Sequence, residues 1–193
     1  YDNHLSIMGV KVLGDGALGS RGSALLEDYS DDPGNRGSYR FTDEEIYNVM
    51  SLAYNNGYQI AYHAIGDGAN HQVLNTYERL LKENPREDPR LRIEHFQVVT
   101  PEDIDRALEL GILTAMQFTH ATSDLSMAED RLGPERIQTA YAWRTVLDKG
   151  GIIIGGSDAP VEMVNPFHGL YAGVTRMTRA GEPEGGWYAN QKV

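Results

Sequence analysis

Four side chains able to bind a metal ion fall at matching places in separate strand-like segments. Lys11 lies in VKVL, His63 in YQIAYHA and His95 in LRIEHFQV, and Asp158 directly follows IIIG in GGSDAP. A further apolar run, ILTAMQF, leads into Gln117-Phe118-Thr119-His120. Imidazole and carboxylate groups converging on one point suit a divalent cation such as zinc. A bound cation of that kind lowers the pKa of its water to about 7, which makes hydroxide available near neutral pH. A lone strand histidine is more often a satisfied core residue. Two histidines at equivalent places on successive units, with an aspartate ending a later strand, are not what independent core residues would give. Lysine is a poor ligand while protonated, since its free pKa is ~10.4, and its ordinary strand role is a salt bridge.

The elements that would position these groups alternate regularly. Residues 6–13 read as a strand, followed by a glycine-rich stretch to about residue 40. Thr42 has the look of an N-cap, with Glu45 completing a capping-box pattern. The helix it opens, 43–56, carries Ile46, Val49, Met50 and Ala53 on one face. Residues 58–64 read as a strand, 68–83 as a helix and 91–98 as a strand. Thr100 caps a helix with Pro101 at its favoured first position, ending at Gly111. A strand at 112–118, a helix at 134–149, a strand at 152–155 and a helix at 166–179 complete the pattern. The tail, 181–193, is rich in Gly, Pro and polar residues. Five strands separated by helices make an α/β protein with a parallel sheet, either open and doubly wound or closed as a barrel. In both, the C-terminal strand ends form the ligand face. No internal boundary is visible, so residues 1–193 are read as one unit.

Composition narrows the partners. Lys plus Arg number 17 against 28 Asp plus Glu, a formal net charge of -11. That balance disfavours a sequence-independent grip on nucleic acid. With no Cys, a disulfide scaffold, a thiolate zinc site and a Cys nucleophile are excluded. No apolar run approaches the ~20 residues of a membrane span. No targeting segment is visible, which gives a cytoplasmic expectation. A chain opening at Tyr1 within a strand-like run reads as an excised piece.

Gly14-Asp15-Gly16-Ala17-Leu18-Gly19 matches the dinucleotide pattern G-x-G-x-x-G. That pattern works only when a helix begins inside it, and SRGSALLEDYSDDPGNRGSYR shows no helical stripe. A substrate-facing loop is the better reading, in which Arg21 presents a forked donor to a substrate oxygen. His71, in the first turn of a helix, reads as solvated, and Trp143 and Trp187 as packing residues.

VKVLGDGALGSRGSAL, AYHAIGDGAN, RIEHFQ, MQFTHATSD, GGSDAPVE and NPFHGLYAGVTR resemble successive signatures of the amidohydrolase superfamily. More narrowly they resemble its YtcJ-like branch of metal-dependent hydrolases, which includes N-substituted formamide deformylases. The resemblance implies a partial TIM-type (β/α) barrel whose five parallel strands correspond to the family's strands four to eight. It implies a metal centre of one or two ions, with Lys11, His63, His95 and Asp158 as ligands and Lys11 in the position that is often carboxylated. It makes Asp158 the general base as well. It sets His120 and Asp124 near a small-molecule substrate and lays the loop holding Asp15 and Arg21 over the site.

The sequence departs from that family in one respect. The family opens its metal site with His-x-His, and no two of His4, His63, His71, His95, His120 and His168 are two apart. A full barrel takes ~250 residues. The expectation is therefore a fragment whose parent hydrolyses an amide- or formamide-type C–N bond. Its open sheet edges would invite homo-oligomerisation. The alternative is a non-catalytic binding or assembly module. A sugar-phosphate enzyme ranks last, because Asp158 and Glu162 sit where phosphate would bind.

Overall fold

The computed structural model describes residues 4–193. Five parallel strands, β1 (Gly9–Leu13), β2 (Gln59–Ala64), β3 (Arg92–His95), β4 (Leu113–Met116) and β5 (Ile153–Gly155), pair in sequence order. Helices α1 (Asp43–Asn55), α2 (Asp67–Glu83) and α3 (Pro101–Glu109) fill the first three crossovers. The segment between β4 and β5 holds α4 (Phe118–Asp124), α5 (Ala128–Arg136) and α6 (Trp143–Asp148), and α7 (Pro166–Thr175) follows β5. Sequential parallel strands with helical returns form an α/β sheet of the (β/α)-barrel kind, with β1 and β5 as its two edges.

Local chemistry explains most boundaries. Thr42 and Glu45 close a capping box at α1, and the Thr100 hydroxyl accepts from the Asp103 amide at α3. The strand predicted for 112–118 is shorter, because the chain turns into α4 at Phe118. The single helix predicted for 134–149 is broken after a short turn at 137–139, because Tyr141 (φ 51°) is left-handed and separates that turn from α6. Gly133 (φ 73°), just before the predicted start, interrupts α5.

One face of the sheet is packed. Ile60, Tyr62 and Ile93 lie against Ile46, Met50, Leu74 and Tyr77, all fully buried. The other face is open. The register sets Leu13 beside His63 and His63 beside Glu94, with Lys11 opposite Ala61 one pleat deeper. Paired residues share a face, so Lys11, Leu13, His63 and Glu94 all look onto the open side. Leu13 and Ile152 are exposed there.

The glycine-rich loop after β1 contains no helix, and it folds over the strand ends with Leu18, Ala24, Leu25 and Tyr29 buried. It approaches α2 so closely that a Cβ on Gly66 would stand 1.9 Å from the Ala24 carbonyl oxygen. Glycine is required at that contact. The tail also packs. Arg176, fully buried, donates to the Tyr141 and Trp187 carbonyls and stacks 4.1 Å from the Trp143 ring centroid. Trp143 and Trp187 are core residues, as their type suggests.

Candidate active site

At the C-terminal end of the sheet, a cavity of about 260 Å³ is lined by His63, His95, His120, Asp124, Asp158 and Glu162, among others. A larger groove of about 620 Å³ between the starts of α1 and α2 contains none of these groups. The candidate metal-binding groups therefore gather at the smaller cavity.

Each histidine reaches the cavity by a different route. His63 points there by strand alternation. His95 pairs in register with Ala64, on the helix-facing set, yet its ring centroid lies 4.4 Å from that of His63. The backbone accounts for this. His95 (φ 78°) and Phe96 (φ 43°) are both left-handed, which ends β3 and swings the imidazole across. His120 arrives on α4, stacked 5.7 Å from His95. Asp158 is also left-handed, at φ 55°. Non-glycine residues rarely adopt such backbone and concentrate at functional sites when they do.

Hydrogen bonds set the state of these rings. His95 Nδ1 lies 2.8 Å from Gln117 Oε1, so that nitrogen donates and Nε2 keeps its lone pair. Burial, reinforced by His63 and His120, pushes the His95 pKa down to about 3. The ring is neutral across the physiological range, the form in which imidazole ligates. Burial likewise lowers the pKa of His120, whose buried Nε2 has no hydrogen-bond partner. Asp124 accepts from the Tyr141 hydroxyl at 2.7 Å and from Gln97 Nε2 at 3.2 Å. Its pKa is raised, with burial outweighing those donors.

The remaining predicted site residues lie elsewhere. Asp15 is 1% exposed, and its carboxylate accepts from the amides of Ala24, Ile65 and Gly66. It also stands 3.2 Å from His63 Nε2, off the line of a good hydrogen bond. Substrate has no access to it. Asp15 instead pins the loop to β2 behind His63. Arg21 directs its guanidinium fork at Asp31, at 2.8 and 3.1 Å, and is absent from the cavity wall. Lys11 is absent from the cavity wall. Desolvation lowers its pKa, opposed by Glu94 and Asp158. His71 is exposed, as expected, and its Nδ1 also lies 2.9 Å from Asp103.

The donor set fits a divalent cation in kind. It supplies the buried, neutral imidazoles of His95 and His120, the ring of His63 and the Asp158 side chain in the same cavity. It is incomplete in number, since among the described residues no three His, Asp or Glu side chains stand close enough to share one ion. Gln117, Gln97 and Tyr141 were not evident from sequence. Polar residues directly after the apolar runs of β3 and β4 were the available signal for the two glutamines.

The profile of the amidohydrolase family matches residues 1–192. The chain belongs to the amidohydrolase family. It is 41% identical over 167 residues to the YtcJ amidohydrolase of Bacillus subtilis (strain 168), a match covering 86% of this chain and 31% of that protein. Protein LONG AFTER FAR-RED 3 of Arabidopsis thaliana is 36% identical over 174 residues, covering 90% of this chain and 30% of its own length. Two solved structures share the fold, both metal-dependent hydrolases. The one from Pyrococcus horikoshii OT3 superposes with a TM-score of 0.83 at 28% identity over 99% of this chain and 38% of its own. The one from Pyrococcus furiosus gives 0.81 at 30% identity over 95% and 37%. The chain thus spans about a third of the length of the relatives it matches, and its five strands correspond to part of an amidohydrolase barrel.

Proposed function

We propose that this chain carries the C-terminal part of a metal-dependent hydrolase that cleaves a non-peptide C–N bond of the amide or formamide type in a small molecule. The observation that carries the reading is the convergence of His63, His95, His120 and Asp158 on one cavity. His63 and His95 would hold a divalent cation, with zinc the best match to imidazole and carboxylate donors, and Asp158 would complete their set. When bound, the cation would supply Lewis-acid polarisation and ease deprotonation of water. Asp158 then takes a proton from the attacking water and returns it to the leaving amine. His120, kept neutral by burial, would donate an N–H from its unpartnered Nε2 to the carbonyl oxygen. A carbamate on Lys11 is consistent with its lowered pKa, because only the neutral amine reacts with carbon dioxide. The relatives are about three times as long and β1 and β5 are unpaired on their outer sides, so the missing donors are assigned to other parts of the full-length protein.

The test is metal content by emission spectroscopy on the full-length protein, with an amide and formamide activity panel. His63→Ala and His95→Ala should each lose metal and turnover. Equal metal content in wild type and both variants would overturn the reading. The incomplete donor set among the described residues and the exposed apolar β1 and β5 edges favour a second reading, an assembly module. That reading gains if the full-length protein binds no divalent metal.

A further inference from the structure

We infer that Gln117 is a positioning residue that fixes the tautomer of His95, so that Nε2 presents a lone pair to the cavity. The inference rests on the divalent-metal reading above for its consequence, but not for its geometry. Gln117 ends the β4 segment as the N-cap of α4, and it is 7% exposed. Its Oε1 lies 2.8 Å from His95 Nδ1, and its Nε2 reaches toward the Ala115 carbonyl at 3.4 Å.

The amide orientation follows from these two contacts. Rotating the group by half a turn would point its oxygen at the Ala115 carbonyl oxygen, acceptor against acceptor, and its NH₂ at His95. The observed orientation satisfies both ends, and it requires Nδ1 of His95 to carry the proton. Isolated neutral imidazole favours the proton on Nε2, so a partner must impose the Nδ1–H form. Gln117 is the only hydrogen-bond partner of the His95 ring among the described residues. The same residue, through its backbone, ties two further features of the site together. The Gln117 carbonyl accepts from the His120 amide at 3.2 Å, so one residue anchors the start of α4 and orients the ring that His120 stacks on. Losing an acceptor that orients a metal-ligating histidine typically changes metal affinity 10–100-fold.

The experiment uses the full-length protein with histidine-selective nitrogen-15 labelling, stripped of metal. Long-range proton–nitrogen NMR should show His95 as the Nδ1–H tautomer in wild type. Gln117→Leu keeps the volume and removes the acceptor, and should give a tautomer mixture and a 10–100-fold weaker cobalt(II) affinity. Gln117→Glu keeps an oxygen acceptor for Nδ1 and, although its second oxygen then faces the Ala115 carbonyl, should restore the Nδ1–H tautomer. An Nε2–H tautomer in wild type overturns the proposal outright, even if the leucine variant fails to fold. So does unchanged tautomer and affinity in a folded Gln117→Leu protein, or a Gln117→Glu variant with the same tautomer mixture as the leucine one. If wild type shows the Nδ1–H form yet binds no divalent metal, the functional reading fails while the positioning role stands.

Discussion

Asp15 offers a test of how the site is held in place. Its Oδ2 accepts from the amides of Ala24 and Gly66 at 3.0 and 2.9 Å, and its Oδ1 from that of Ile65 at 3.1 Å. Replacing it with alanine leaves three buried donors without an acceptor. A stranded buried donor costs about 1–3 kcal/mol. Neighbouring losses share their relaxation, so the three together should cost about 3–5 kcal/mol rather than the full sum. At 1.4 kcal/mol per tenfold that is a hundredfold to a few thousandfold faster local opening. Hydrogen–deuterium exchange of the full-length protein reads this directly at the amides of Ala24, Ile65 and Gly66. Exchange in α3, which does not touch the loop, serves as the control. Asparagine is the sharper variant. Two donors point at Oδ2 and one at Oδ1, so the asparagine oxygen should take the Oδ2 place and set its NH₂ against Ile65. Ile65 should then lose protection most, with Ala24 and Gly66 largely retained. Protection at all three amides within threefold of wild type in Asp15→Ala would refute the argument that this carboxylate is a pin and not a substrate contact.

Two other expectations follow from buried charge. The raised pKa of Asp124 means that the fold prefers its protonated form. The corresponding stability is fully present below the unfolded pKa of about 3.8 and is lost as pH rises through the raised folded value. Asp124→Asn, which cannot ionise, should therefore raise the thermal midpoint at pH 8 and show little gain near pH 4; an equal difference at both would contradict this. Arg176 sits between Trp143 and Trp187 and holds the Tyr141 and Trp187 carbonyls. Arg176→Ala should cost about 2–4 kcal/mol through lost stacking and charged hydrogen bonds, red-shift the tryptophan emission and speed exchange in residues 181–193. An unshifted spectrum with a protected tail would show that the tail is held by something else.

Much of this architecture is legible in the sequence because it is local. The capping residues Thr42 and Thr100, the apolar stripes of α1 and α2 and the alternating run of β3 each act within a few residues of themselves. What stayed hidden depends on backbone that the pattern does not encode. α4 has no apolar stripe to announce it, since FTHATSD is held by the turn at Gln117 and the packing of Phe118 on Trp143. The break at Gly133, directly before Pro134, falls where the sequence places a helix start, whereas the second break, at the left-handed Tyr141, has no local signal.

His95 reaches the cavity by a route that counting along the strands does not give. Counting along the strands makes His63 and His95 equivalent. The pairing instead sets Glu94 beside His63 and turns His95 to the helix side. Only the left-handed backbone at His95 and Phe96 returns the imidazole to the cavity. That conformation is costly for a β-type segment, of order 1–3 kcal/mol per residue. It persists because Phe96 is buried, the Gln97 carbonyl accepts from the Tyr141 amide at 2.7 Å, and Gln117 holds the ring. The site thus depends on a strained turn whose supports come from β4 and from the segment before α6. Neither support lies near His95 in sequence.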